Sequence, residues 1–270
     1  MSKIIIIGSG FSGLSCAALL AKNGHEVKVI EKNEQLGGRA RVIKENGFTF
    51  DMGPSWYWMP DIFDNFFNEF NIKTSDVYKL IKLDPGFRMI FEQEEINIRS
   101  SFKEVCNLFE KYEENGEKKL KDFIKDAQKK YEIGLDFLYE SPGISIKELF
   151  NKNVIKNLSK FDLFTSYSKH VRKNFKHPYL INLLEFPVIF LGSSAKNMPA
   201  LYSLMSYSAI KQGTFYPEGG MNQIIVNLVN LCKKLGVTFV KKESVKKINI
   251  KNNKAISVST ESKKTYTSDF

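Results

Sequence analysis

The chain has 270 residues, 43% hydrophobic and 13% aromatic, enough for a core in one large or two small domains, which excludes wholesale disorder, collagen and coiled coil. Lys+Arg number 40 against 30 Asp+Glu, a formal charge of +10, read as lysines scattered over solvated faces; an anionic lipid surface stays open as a partner and a nucleic acid is not expected. Cys16, Cys106 and Cys232 lie far apart with no CxxC or Cys/His grouping, so buried or idle thiols in a reducing cytoplasm are expected, with no disulfide framework and no metal site.

In chain order, Lys3 precedes the β-branched run Ile4, Ile5, Ile6, Ile7, which predicts a strand buried on both faces. Glycines interrupt it at once, so it does not read as a signal peptide. Residues 12–23, rich in small and straight-chain side chains, predict a helix stopped at Asn23-Gly24, and 26–31 (EVKVIE) predict a second strand. Together they make one β-α-β unit. Phe63, Phe66, Phe67 and Phe70 recur at helical spacing within 61–70 and predict one packed face. Strand-like runs at 77–83, 87–91 and 95–99, the first two separated by Asp84-Pro85-Gly86, predict a small sheet.

From 102 to 139 the pattern is helical, with Phe123, Ala127, Tyr131, Leu135 and Leu138 three or four residues apart, until Ser141-Pro142-Gly143 breaks it. Helices are predicted over 145–156, 167–174 and 178–190, the last with a kink or an end at Pro187. Beyond Gln212-Gly213 a helix over 221–235 closes at Gly236, and short strands follow at 237–240, 245–250, 255–259 and 265–267. The best apolar stretch, 180–192, is short and interrupted by Glu185 and Pro187, so no bilayer span is expected.

Gly8-Ser9-Gly10-Phe11-Ser12-Gly13 is GxGxxG between the first strand and the first helix. There Gly8 permits a tight turn, Gly10 lets backbone approach a pyrophosphate at the positive helix end, and Gly13 lets the helix lie close on the strand. Glu31, at the end of the second strand, is placed to accept from both hydroxyls of an adenosine ribose, and a carboxylate there repels a 2′-phosphate. NAD and FAD share this fingerprint. Gln35-Leu36-Gly37-Gly38-Arg39-Ala40-Arg41 adds paired glycines for a second backbone approach and two guanidinium donors.

These segments, with LGGRAR (36–41), GFTFDMGPSWYWMP (47–60), HVRKNFKHPYLINLLEFPVIFLG (170–192), MPALYSLMSYS (198–208) and GTFYPEGGMNQI (213–224), resemble the bacterial phytoene and carotenoid desaturase group of the FAD-dependent amine oxidase superfamily. The resemblance covers essentially the whole chain and corresponds to the amino-terminal half of such proteins. It implies an α/β fold: a Rossmann-like FAD-binding domain, a parallel sheet with helices, carrying an inserted α+β, mostly helical substrate domain. The implied boundaries are 1–76 and 212–270 for the first and 77–211 for the second. FAD is the implied cofactor, with Gly8, Ser9, Gly10, Phe11, Ser12, Gly13, Glu31, Lys32, Gly37, Gly38, Arg39, Arg41, Gly53, Pro54, Ser55 and Val245 at cofactor-binding positions.

The implied reaction introduces C=C bonds into a carotenoid precursor such as phytoene by hydride transfer to the flavin with proton loss. A carotenoid isomerase, another flavin amine or porphyrinogen oxidase, or an inactive truncated nucleotide-binding module share the same opening unit. The implied partners are a lipid-soluble polyene, a membrane surface and a missing carboxy-terminal half, with a cytoplasmic location that includes the inner membrane face. Phe186, Phe190, Leu201, Tyr202 and Met205 are read as candidate walls of an apolar tunnel. No catalytic base emerges: His25 reads as surface, and His170, Arg172 and His177 acquire no role from spacing.

Overall fold

A computed structural model describes residues 1–140 and 162–270, the side chains of 136–140 aside. The predicted break at 141–143 and helix at 145–156 lie outside the described residues. The strands are β1 (Lys3–Ile7), β2 (Glu26–Ile30), β3 (Val42–Glu45), β4 (Phe48–Asp51), β5 (Leu80–Lys82), β6 (Phe87–Ile90), β7 (Glu95–Ile98), β8 (Phe215–Pro217), β9 (Thr238–Val240), β10 (Val245–Lys251), β11 (Lys254–Thr260) and β12 (Thr265–Thr267). The main helices are α1 (Phe11–Lys22), α2 (Pro60–Asn68), α3 (Phe102–Tyr112), α4 (Gly116–Glu140), α5 (Tyr167–Asn174), α6 (Pro178–Glu185) and α7 (Asn222–Lys234). The chain divides into two units, Met1–Ile81 with Tyr216–Phe270, and Lys82–Phe215.

In the first unit a parallel sheet runs in the order β1–β2–β9. Lys3 faces Glu26 and Ile7 faces Ile30, while Lys28 faces Thr238. Parallel neighbours need a crossover, and α1 supplies the one between β1 and β2. Leu14, Ala17 and Ala18 of α1 are fully buried, and Gly24 at φ +82° turns the chain out of the helix. On α7, Ile224, Ile225 and Leu228 are buried, and the Cys232 thiol donates to the Leu14 carbonyl at 3.3 Å. Each of the buried leucines and isoleucines among these contributes roughly 1.5–3 kcal/mol.

The expectation that β1 is buried on both faces is corrected. Ile7 is 49% exposed, whereas Val27, Val29 and Ile30 of β2 are buried. The strand order explains this: β2 is central and β1 is at an edge, where Ile5 N–H donates to the Phe270 carbonyl and Asp269 N–H to the Lys3 carbonyl.

The β3–β4 hairpin was not predicted from the sequence. Asn46 and Gly47 close it with φ of 49° and 83°, the two left-handed positions of a type I′ turn. Ile43 faces Phe50 across it, and Ile43, Phe48 and Phe50 are all exposed. The aromatic face of α2 forms as expected: Phe67 is buried, Phe66 and Phe70 lie 5.3 Å apart, and Phe63 sits 4.6 Å from Tyr57. Tyr57 and Tyr78 are buried with their hydroxyls 2.9 Å apart. A second, antiparallel sheet runs β10–β11–β12.

In the second unit β6 and β7 pair as a hairpin, but the three-stranded sheet expected over 77–99 does not form, because β5 pairs with β8. Its run is also shorter than predicted: 74–76 form a 3₁₀ turn and the Tyr78 ring is buried, leaving 80–82 extended. The helical pattern over 102–139 splits at Asn115 (φ +58°), and Gly116 passes so close to α3 that a Cβ there would lie 2.1 Å from the Phe109 carbonyl oxygen. Leu120, Phe123, Ile124, Ala127 and Tyr131 form the buried stripe of α4.

On α4, Lys130 is also buried, its ammonium 2.7 Å from Asp126 and 3.0 Å from Asp162. Tyr167 is fully buried; its hydroxyl donates to the Leu184 carbonyl at 2.7 Å and lies 2.6 Å from Ser206 Oγ. As predicted, the helix over 178–190 does not pass Pro187. It stops at Glu185, and the chain continues as a 3₁₀ turn, Phe186–Leu191, exposing Ile189, Phe190 and Leu191. Met205 is buried, while Phe186, Leu201 and Tyr202 are half-buried. Among the described residues no helix is long and apolar enough to cross a membrane.

Candidate functional site: a glycine-lined groove above the first β-α-β unit

The tight turn after β1 places Gly8 at φ +95°, with its N–H donating to the Ile30 carbonyl at 2.8 Å. Gly10 precedes the twelve-residue α1, whose first N–H groups have no intrahelical acceptors. At both Gly8 and Gly10 an added Cβ would meet nothing within 4 Å, so the backbone faces open space. Gly13 does the opposite: a Cβ there would lie 2.2 Å from the Gly8 carbonyl oxygen, so α1 can seat on β1 only without a side chain at that position. The three glycines thus serve the turn, the open approach and the close helix contact.

Glu31 follows β2 and is 4% exposed. Its Oε2 accepts from Ser9 N–H (2.9 Å) and Ser9 Oγ (2.6 Å), and its Oε1 from Asn33 N–H (2.9 Å) and Asn33 Nδ2 (2.8 Å). Burial pushes this carboxyl upward, but the four donors outweigh it and hold its pKa below the ordinary carboxylate value. The β9 extension wraps the same place: Glu31 N–H donates to the Val240 carbonyl and Glu243 N–H to the Glu31 carbonyl. Glu243 is itself buried, its carboxylate accepting from Ser262 Oγ and paired with Lys264 at 2.9 Å.

The Gly37-Gly38 turn closes the third side. Gly37, at φ +116°, donates to the Ser9 carbonyl at 2.9 Å and Ser9 Oγ at 3.2 Å, and a Cβ at Gly38 would lie 3.1 Å from Gly10 Cα. Arg41 Nε donates to the Gly38 carbonyl at 2.8 Å, and Asn222 at the start of α7 donates to the Ala40 carbonyl at 2.8 Å. Asp51 anchors the turn before α7, accepting from Tyr216 OH at 2.5 Å and Met221 N–H at 3.1 Å.

The result is a groove of about 700 Å³. Gly8, Ser9, Gly10, Phe11, Ser12, Gly13, Glu31, Lys32, Gly37, Gly38, Arg39, Arg41 and Val245 all line it. Gly53, Pro54 and Ser55 are not among its lining residues; a Cβ at Gly53 would lie 2.2 Å from the Arg39 carbonyl oxygen, so that glycine serves close backbone packing. Asn33, Glu243 and Ser244 also line the groove and were not singled out from the sequence; Met52, in the 47–60 segment that carries the resemblance, lines it as well. Asn33 was visible as an Asx side chain two residues beyond the carboxylate it bonds. Glu243 carried no local signal, since its burial comes from Ser262 and Lys264.

The histidines stand apart from this groove's lining. His177 Nδ1 accepts from Tyr179 N–H and caps α6, while His170 is partly buried 3.7 Å from Asp126, its pKa lowered by burial and by Lys130. His25 is not the surface residue expected: it is half-buried and its Nδ1 is enclosed. Backbone donors at a helix start, two guanidinium groups and a fixed carboxylate in one groove match the phosphates and ribose of an adenosine diphosphate moiety.

The family described as flavin containing amine oxidoreductase matches residues 11–270. Among curated proteins, a carotenoid 3,4-desaturase of Haloarcula japonica is 35% identical over 248 residues, 91% of this chain and 50% of that protein. A phytoene desaturase of Phycomyces blakesleeanus is 31% identical, over 91% of this chain and 43% of that protein. A 1-hydroxycarotenoid 3,4-desaturase of a Flavobacterium species is 30% identical, over 97% and 54%. The chain therefore spans about half the length of the curated relatives it matches. Among solved structures, an oxidoreductase from Methanosarcina mazei aligns with a TM-score of 0.63 at 20% identity, over 99% of this chain and 57% of that one. Putrescine oxidase bound to putrescine aligns at 0.60 and 15%, over 99% and 57%, a likeness of fold.

Proposed function

This chain belongs to the flavin containing amine oxidoreductase family, and from that premise we propose that it binds FAD and forms part of an oxidoreductase introducing C=C bonds into a carotenoid precursor such as phytoene. The observation that carries the reading is the convergence of Gly8, Gly10, Glu31 and the Gly37–Arg41 turn on one groove with open space above the glycines. The names of the relatives support the substrate class.

Gly8–Gly10 at the start of α1 would hold the pyrophosphate, with Arg39 and Arg41 offering further donors, and Glu31 would accept from the adenosine ribose. In that complex the backbone donors of Ser9 and Asn33 would keep the Glu31 carboxylate ionised and fixed. Gly53, Pro54 and Ser55 remain proposed cofactor contacts, and Val245 backbone the adenine contact. When bound, FAD supplies a two-electron acceptor, so that a hydride leaves a saturated carbon beside the conjugated system, a proton leaves its neighbour, and a new C=C bond forms. The second unit, Lys82–Phe215, takes the polyene, its apolar side chains excluding water from it.

The same reading places the protein at a membrane surface on the cytoplasmic side, since the exposed Ile189, Phe190 and Leu191 and the charge of +10 suit anionic lipid. The part of the relatives' length that this chain does not span is the remaining proposed partner.

The test is calorimetric titration with FAD, followed by incubation with phytoene in liposomes and detection of new polyenes by visible absorbance. Binding with coloured product is expected, in the presence of the carboxy-terminal half if the chain alone is silent. Binding without any desaturation in either case would support a nucleotide-binding module, and oxidation of an amine with peroxide release would support an amine oxidase. No binding of FAD or ADP overturns the reading. Cosedimentation with phosphatidylserine vesicles that falls as salt rises is expected for the membrane part; equal recovery without lipid sinks it.

A further inference from the structure

Ser9 is fully buried, and every polar atom it carries on the groove side is used. Its N–H and its hydroxyl both donate to Glu31 Oε2, while the hydroxyl and the carbonyl oxygen both accept from Gly37 N–H. Each of the three segments that build the groove therefore ends on this one residue: the turn before α1, the end of β2 and the Gly37-Gly38 turn. A hydroxyl has one proton and two lone pairs, and here the proton goes to the carboxylate while a lone pair receives the glycine amide. Asn33 makes the complementary case. Its N–H and amide hold the other carboxylate oxygen, but neither reaches the Gly37 turn.

We propose that Ser9 is a positioning residue whose hydroxyl couples the ribose carboxylate Glu31 to the Gly37 turn, so that the two ends of the nucleotide site are set as one unit before ligand arrives. A charged acceptor strengthens the Ser9 bond, and the polarised hydroxyl becomes a better acceptor for the Gly37 amide, so the state of Glu31 is felt at the turn. The other charged groups nearby are occupied: Glu34 pairs with Lys241 and Lys242, Glu243 with Lys264, and Arg41 bonds the Gly38 carbonyl. Lys32 and Arg39 line the groove and are exposed.

The proposal deepens the nucleotide reading, and two of its measurements need no nucleotide. In the ligand-free protein, the Glu31 carboxyl is titrated by carbon NMR and the Gly37 amide is followed by hydrogen exchange. Ser9→Ala is expected to raise the Glu31 midpoint, by loss of its charge-assisted hydroxyl donor, and to speed Gly37 exchange about threefold, because that amide loses the hydroxyl acceptor and keeps the Ser9 carbonyl at 2.9 Å. Ser9→Cys, which keeps the volume with a weaker donor, is expected to move both in the same direction by less, and reads the effect if the alanine variant folds poorly. Asn33→Ala is expected to raise the midpoint while leaving Gly37 exchange unchanged.

With ADP as the probe, Ser9→Ala is expected to weaken binding about tenfold and to move its acid limb to higher pH. Parental values for both midpoint and exchange in Ser9→Ala overturn the proposal, as does equal quickening of Gly37 by Asn33→Ala. If the parent protein does not bind ADP while Ser9→Ala still moves carboxyl and amide together, the nucleotide reading falls and the coupling stands.

Discussion

Gly13 shows how one hydrogen atom in place of a methyl group decides a site. A Cβ at 2.2 Å from a carbonyl oxygen cannot be relieved by a side-chain rotation, because the obstructing atom is backbone. Gly13→Ala is expected to cost about 1–3 kcal/mol in urea unfolding and to abolish nucleotide binding, since α1 must move off β1. Glu31 gives a prediction in pH. Its folded pKa lies below the ordinary 4.5 despite burial, so its contribution to stability is fully present above that value and is lost as pH falls through the folded pKa. Glu31→Gln is expected to flatten that acid limb of the stability curve, because an amide nitrogen must face two donors, and to lower stability at pH 7 by about 2–3 kcal/mol in urea titrations. Both residues were legible in the sequence, because GxGxxG and the acidic end of β2 are local patterns tied to one ligand chemistry. Glu243 was not: its burial depends on Ser262 and Lys264, nineteen and twenty-one positions on, and that pairing is set by the turn between β11 and β12.

The elements were legible where periodicity and punctuation agreed. The α4 stripe, the end of α6 before Pro187 and the strand-rich tail follow from spacing and breakers alone. The β3–β4 hairpin was missed although Asn46-Gly47 signalled it, because its apolar residues Ile43, Phe48 and Phe50 lie exposed on one face. The misplacement of β1 has a different cause, since four consecutive isoleucines look the same at an edge as in the middle of a sheet. The loop after α3 offers a test at this scale. Glu113 accepts from Lys176 N–H at 2.8 Å and His177 N–H at 3.0 Å and pairs with Lys119 at 2.7 Å, joining the α3–α4 corner to the α5–α6 corner. Glu113→Ala leaves two backbone donors without their acceptor and is expected to destabilise the second unit by about 2–3 kcal/mol, measured by chemical denaturation with a probe in Lys82–Phe215.

At the scale of the whole molecule, each unit has its own core, and the proposed cofactor groove is lined entirely from the first. Ligand at about a hundred times its Kd is expected to stabilise that unit by about 2.7 kcal/mol, read as slowed hydrogen exchange around Gly8–Gly13, Glu31 and Gly37. Protection spread equally over both units would contradict this. The strand order β1–β2–β9 has a temporal side as well. The two strands at the start of the chain cannot gain their third neighbour until Thr238–Val240 has left the ribosome, about two hundred residues later and roughly 10–40 s at usual rates of synthesis. For that interval the apolar side of α1 lacks the shelter that α7 will give, while Lys82–Phe215 can mature first. The nascent amino terminus is therefore expected to be a client for chaperones over that interval, and the proposed nucleotide groove is completed only after Lys82–Phe215 has been made.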